Sequence, residues 1–153
     1  MTLGANFPPA YLRAQITRQL KPGSVIKLIR RMDDGKNHEK RFVVVHVDDH
    51  TITCIINSTV STFLQQRPDM LRCQVAMDQA AHYFMNHDSH IDCSRVRTYS
   101  TTEVIDDLLA KPDWVLGTIT TALRDDMVAA IKFAPTLSPA EVALLCQSLG
   151  EIE

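Results

Sequence analysis

Apolar residues come in short, β-branched bursts through the first two thirds of the chain and at helical spacing through the last third. Pro8-Pro9 opens AYLRAQITRQL, where Tyr11, Leu12, Ile16 and Leu20 share one helical stripe. Lys21-Pro22-Gly23 stops that helix, because proline and glycine do not continue it. SVIKLIRRM supplies the strand formers Val25, Ile26, Leu28 and Ile29, and the polar MDDGKNHEK closes it with Asp-Gly turn chemistry. RFVVVHV is nearly continuous in apolar residues, the pattern of a strand buried on both faces. Asp48-Asp49-His50 breaks it, and TITCIIN follows as the second arm of a hairpin. Ser58 to Arg67 reads either as a short helix around Thr62–Gln66 or as an ordered loop. LRCQVAM and AHYFM are further strand candidates, and Ile91 to Val96 adds a short one.

After Thr98 the period changes. Ser100-Thr101-Thr102-Glu103 has the form of a capping box for VIDDLLAK, which Pro112-Asp113 breaks. WVLG leads into a second helix, TTALRDDMVAAIKFA, with Met127, Ile131 and Ala134 on one face. Ser138-Pro139-Ala140-Glu141 starts a third, EVALLCQSL. Strands first and helices last predict an α+β fold: a small curved antiparallel sheet or barrel, with helices segregated to the C-terminal part.

At 153 residues the chain suits one domain with a real core and a terminal appendage. No apolar run is long enough to cross a bilayer, and MTLGANFPPAYLRAQ lacks the basic and apolar regions of a signal peptide. The expected address is the cytoplasm, with no membrane partner. Cys54, Cys73, Cys93 and Cys146 form no CxxC pair, so zinc ribbons and dithiol redox motifs are unsupported and reduced, mostly buried thiols are expected. The net charge of −2 hides a basic first third and an acidic last third. The basic part suits an anionic partner such as RNA, or the acidic end of a second subunit. With a pI of ≈ 6.3, any RNA contact is expected to be local and salt-sensitive.

The densest chemistry lies in NHDSHIDCSRVRT, Asn86 to Thr98. His87 or Asp88 could move protons in phosphoryl transfer. His87 and His90, with Asp88 or Asp92, could ligate zinc or manganese. A strand would send the two histidines to opposite faces, however, so no metal site and no cofactor is expected. Alternatively Asp88 and Ser89 simply make a turn and cap strand ends.

Several pieces, in this order, resemble the PemK/MazF family of bacterial toxins. Pro22-Gly23-Ser24-Val25-Ile26 is similar to the family's PGDIV-type strand, and Lys40-Arg41-Phe42-Val43-Val44-Val45 to its RPVLVV strand. Cys54 to Thr59 sits where the family has a strand ending in Thr-Ser. Ser89 to Thr98 resembles S-x-V-x-C-D-Q-x-R-T, and Leu116-Gly117-Thr118-Ile119 resembles LGxLS. The resemblance spans about residues 20–134, which divides the chain into an N-terminal helical extension (1–20), a barrel domain (21–134) and a C-terminal helix (135–153).

The resemblance implies an SH3-like barrel, a homodimer and a metal-independent endoribonuclease of single-stranded RNA, restrained by a cognate antitoxin protein. In that chemistry a 2′-hydroxyl attacks the adjacent phosphate while an arginine stabilises developing charge. Carried over by position, Arg41 is the phosphate-stabilising arginine, and Asn57 and Ser58 take the Thr-Ser place. His87 and Asp88 are the candidates for proton transfer, with Ser89 and His38 as further substrate contacts. The chain departs from the family at Phe42 (proline), Asn57 (threonine), Ser94 (aspartate) and Arg95 (glutamine). The missing carboxylate at Ser94 keeps open a second function, a non-catalytic relative that serves as a protein-binding module.

Overall fold

A computed structural model describes residues 8–150 of the chain. Residues 1–7 and 151–153, which belong to the expected terminal units, lie outside the described residues. Helix α1 runs over Pro9–Gln19. Strands β1 (Ser24–Arg31), β2 (Asn37–Val47) and β3 (His50–Asn57) follow as an antiparallel meander. Two single-turn helices, α2 (Thr62–Gln65) and α3 (Pro68–Leu71), lead to β4 (Gln74–Met77) and β5 (Ser89–Asp92). After β6 (Arg97–Ser100) come α4 (Thr101–Ala110), β7 (Val115–Thr118), α5 (Thr121–Phe133) and α6 (Pro139–Gly150).

The strands form one antiparallel sheet in the order β4-β5-β3-β2-β1-β7, curled into a half-barrel, with β6 also on β3. Strands β6 and β5 share one edge of β3: β6 pairs with residues 50–53 and β5 with Ile56 and Asn57. The α+β architecture is the expected one, and most of its helices are C-terminal.

Both faces of the sheet are covered. On one, Val25, Val43, Cys54 and Ile91 pack beneath α5 and α6, with Met127, Ile131, Leu145 and Leu149 among their neighbours. On the other, Ile26, Leu28, Phe42 and Val44 pack beneath α1 and α4, against Ile16, Leu20, Val104 and Leu108. Phe42, Val43, Val44 and Val45 are therefore all fully buried. Such burial contributes roughly 1.5–3 kcal/mol per large apolar side chain, which explains the unbroken apolar run. A bulge between Val44 and His46 turns His46 toward α6, where its ring meets the hydroxyl of Ser148.

Three local expectations are corrected. AHYFM is no strand: residues 78–88 form a looped crossing held by His82 N–H to Gln79 O and Met85 N–H to His82 O. WVLG is not a lead-in but carries β7, the outer partner of β1. Ser100 makes no side-chain cap on α4; instead Thr101 donates to the Asp48 carbonyl and bonds Thr51. The start signal of α6 is realised as a reciprocal pair, Ser138 N–H to Glu141 and Glu141 N–H to Ser138.

Candidate functional site

The rim where β2 begins and β3 ends carries two clefts, one on each side of the sheet. Side chains alternate along a strand, so Arg41 faces one side while His38 and Lys40 lean to the other. The smaller cleft, about 170 Å³, is lined by Arg41, Ser58, Asn86, His87 and Ser89, with Glu39 and Lys40 at its edge. The larger, about 470 Å³, takes in His38, Lys40, Asn57, Phe63, Asp92 and Arg97. The residues proposed from sequence are thus divided. Arg41, Ser58, His87 and Ser89 come together; His38 and Asn57 belong to the other cleft.

Arg41 is held from below by the 78–88 crossing. Its Nη1 donates to the Phe84 carbonyl at 3.3 Å and lies 3.4 Å from the Met85 sulfur, both neutral acceptors. Among the described residues no carboxylate lies within ion-pair distance of it; Glu39, at the same cleft, is paired with Lys27 at 3.0 Å. The crossing itself is pinned at several points. His82 is buried, with Nδ1 2.9 Å from the Asp78 carbonyl while its Nε2 accepts the Thr120 amide at 3.2 Å. The Phe84 ring lies against Gly117 so closely that an added Cβ would sit 2.4 Å from ring carbons. Glycine at 117 is therefore required by contact, not by backbone conformation.

His87 is exposed, and both neighbours of its Nδ1 can accept: the Asp88 carbonyl at 2.9 Å and Ser89 Oγ at 3.1 Å. Those bonds assign the ring proton to Nδ1 and leave Nε2 as a base. Asp88 does something else. Its Oδ1 accepts the Gln79 amide at 2.9 Å, tying the two ends of the crossing.

In the larger cleft, Asp92 is nearly buried and accepts Gln74 Nε2 at 2.9 Å, the Ser94 amide at 2.9 Å and the Ser94 hydroxyl. It lies two residues before the position where the family carries aspartate, but on the opposite side of the sheet from Arg41. His38 Nε2 contacts Asp34 at 2.6 Å. The backbone amide of Lys36, with His38 behind it, holds the Asp34 carboxyl below the usual carboxylate range. Asp33 is lowered likewise, chiefly by the hydrogen bond from Arg95. Sequence reasoning left out Lys40, Phe63, Arg95 and Arg97 here. The period-two alternation of β2 was the available signal for Lys40, since it already separates residues 38 and 40 from 41.

Among the described residues no three His, Cys, Asp or Glu side chains converge as a metal site would require. No described helix is long and apolar enough to cross a membrane.

No family model matches the chain, and no curated protein matches it. Among solved structures it is similar to the Mycobacterium tuberculosis toxin MazF-mt6. The two share 16% identity over 74% of this chain and 98% of that one, with a TM-score of 0.49.

Proposed function

We propose that the protein is a toxin-type endoribonuclease that cleaves single-stranded RNA without a metal, restrained by an antitoxin protein. The observation that carries this reading is the smaller cleft, where an arginine with only neutral partners shares a wall with His87, Ser58 and Ser89. A phosphodiester bound there would be the first anion to meet the Arg41 guanidinium. His87 Nε2 would take the proton of the 2′-hydroxyl as its oxygen bonds to phosphorus. The P–O5′ bond then breaks, and the proton passes to the departing oxygen, leaving a 2′,3′-cyclic phosphate and a 5′-hydroxyl. Arg41 stabilises the charge that builds on the non-bridging oxygens. Ser58 and Ser89 supply neutral hydrogen bonds to position the phosphate. Asn57 and His38 would contact the strand on the other side of the rim. Asp88 acts on this reading through the 78–88 crossing and not on the proton. A homodimer and a cytoplasmic address belong to the same reading.

A second reading has one observation in its favour. Neither carboxylate beside the smaller cleft bonds Arg41 or His87: Glu39 meets Lys27 and Asp88 Oδ1 accepts the Gln79 amide. That suits a non-catalytic protein-binding module. Inducible expression in a bacterial host separates the two. The ribonuclease arrests growth and Arg41→Ala relieves the arrest; no arrest by the unaltered protein, or arrest undiminished in Arg41→Ala, contradicts it.

A further inference from the structure

At the mouth of the larger cleft the two oxygens of Asp33 face two guanidinium groups. Arg95 holds both oxygens, with Nη1 to Oδ2 at 2.9 Å and Nη2 to Oδ1 at 3.2 Å, and Arg97 Nη2 lies 3.5 Å from Oδ1. A fork of this kind fits a phosphate as well as a carboxylate, because each offers a pair of oxygens to parallel N–H donors. Asp33 comes from a different element, the tip of the β1–β2 turn, where Gly35 adopts a φ of 79° and its amide bonds the Met32 carbonyl. Arg95 and Asp33 are 55% and 68% exposed, and ion pairs so exposed contribute little and exchange readily. Arg97 is different: its side chain is 16% exposed, and its Nε is enclosed with no acceptor among the described residues.

The charges of the cleft balance only while Asp33 is present. Asp33, Asp34 and Asp92 face Lys40, Arg95 and Arg97. Asp34 is tied within its own turn by the Lys36 amide and His38, and Asp92 is nearly buried on Gln74 and Ser94. Asp33, exposed and held from outside its turn by ion pairs alone, is therefore the acid that a competing anion displaces. When it does, the cleft gains one net positive charge. On the rim stands Phe63, 55% exposed, with the Arg67 guanidinium 3.8 Å from its ring centroid. Exposed aromatics beside cationic grooves are stacking platforms for unpaired bases.

We propose that Asp33 stands in for a phosphate: Arg95 and Arg97 form a phosphodiester subsite for single-stranded RNA, and Phe63 stacks on the adjoining base. The identity of this ligand rests on the ribonuclease reading, with Lys40, common to both clefts, bridging the subsite to the cleavage site. Asp33 keeps the subsite closed in the free protein and yields it to the strand.

The test is fluorescence anisotropy with a labelled, fully 2′-O-methylated single-stranded oligonucleotide, which binds but cannot be cut. Asp33→Asn should tighten binding roughly three- to tenfold and steepen its salt dependence, as an added phosphate contact requires. Asp113→Asn, which removes the same charge elsewhere, should not. Arg95→Ala added to Asp33→Asn should cancel the gain, and Phe63→Ala should weaken binding about tenfold. The proposal is overturned if Asp33→Asn has no effect, or if its gain survives Arg95→Ala. Absence of oligonucleotide binding in every variant also overturns it, and would point to an acidic protein segment as the occupant. Cleavage is read separately: an Asp33-dependent binding change without cleavage of unmodified RNA sinks the ribonuclease reading alone. Arg41-dependent cleavage without that binding change sinks the subsite alone.

Discussion

Arg41 and Asp33 show how little of a charged residue's role lies in its own letter. Arg41 stands at the head of an apolar run, where the resemblance implies a phosphate-stabilising arginine and the residue type alone equally allows a solvated edge residue or a partner for Asp48 or Asp49. Instead its bonds go to a carbonyl and a thioether, and Asp48 is taken by His46 at 3.1 Å. Asp33 reads as turn chemistry, yet it closes across two arginines more than sixty residues on. Its hydrogen bond from Arg95 lowers the carboxyl pKa, so the contact is complete above the ordinary carboxylate value of about 3.9 and fades only as pH falls through the lower folded value. An NMR titration that follows the Asp33 side-chain carboxyl carbon should therefore find it ionised throughout neutral pH and protonating only below the ordinary value of about 3.9. Raising salt at neutral pH should loosen the same contact, because exposed pairs are screened. An Asp33 carboxyl that protonates at or above the ordinary value would argue against the clamp.

The elements were legible wherever burial sets the pattern. Two-sided burial of β2 is written in Phe42 to Val45, and the helices after Thr98 in their periodic apolar stripes. The 78–88 crossing was not legible. AHYFM has the composition of a strand, but His82 needs the Thr120 amide, 38 residues away in sequence, and that partner is invisible locally. Nor could spacing foresee Phe84 lying on Gly117. This contact makes β7 a support for Arg41, because the Phe84 carbonyl accepts from the guanidinium. Gly117→Ala should thus cost about 1–3 kcal/mol in denaturant unfolding, the usual range for overpacking. It should also reduce RNA cleavage beyond what the loss of folded protein explains. Gly117→Ala with Phe84→Leu should recover much of the stability. A Gly117→Ala protein as stable and active as the parent would show that β7 does not support Arg41.

At the scale of the whole molecule, the half-barrel is sandwiched between α1 with α4 on one face and α5 with α6 on the other, and function is left to the rim. Three of the four thiols, Cys54, Cys73 and Cys93, are buried in the α5/α6 core. Hydrogen bonding with Cys54 and burial raise the Cys93 thiol well above its ordinary range. Alkylation of the native protein at neutral pH should consequently spare these three and reach them only on unfolding, as intact-mass measurement would show. The candidate site was half legible for a geometric reason. Arg41, Ser58, His87 and Ser89, all singled out in the sequence, line one cleft. Strand alternation sends His38 and Asn57 through to the other, where Arg95 and Arg97 wait at positions that sequence reading treated only as departures or as motif. The proposed cleavage depends on Arg41 as its charge-stabilising group. Its most direct test is digestion of a long unstructured RNA by purified protein in EDTA, beside Arg41→Ala and His87→Ala. Fragments ending in 2′,3′-cyclic phosphate, abolished by Arg41→Ala and reduced about 10²- to 10⁴-fold by His87→Ala, are the predicted result. RNA left intact by the unaltered protein, with EDTA or with added divalent metal, would contradict it.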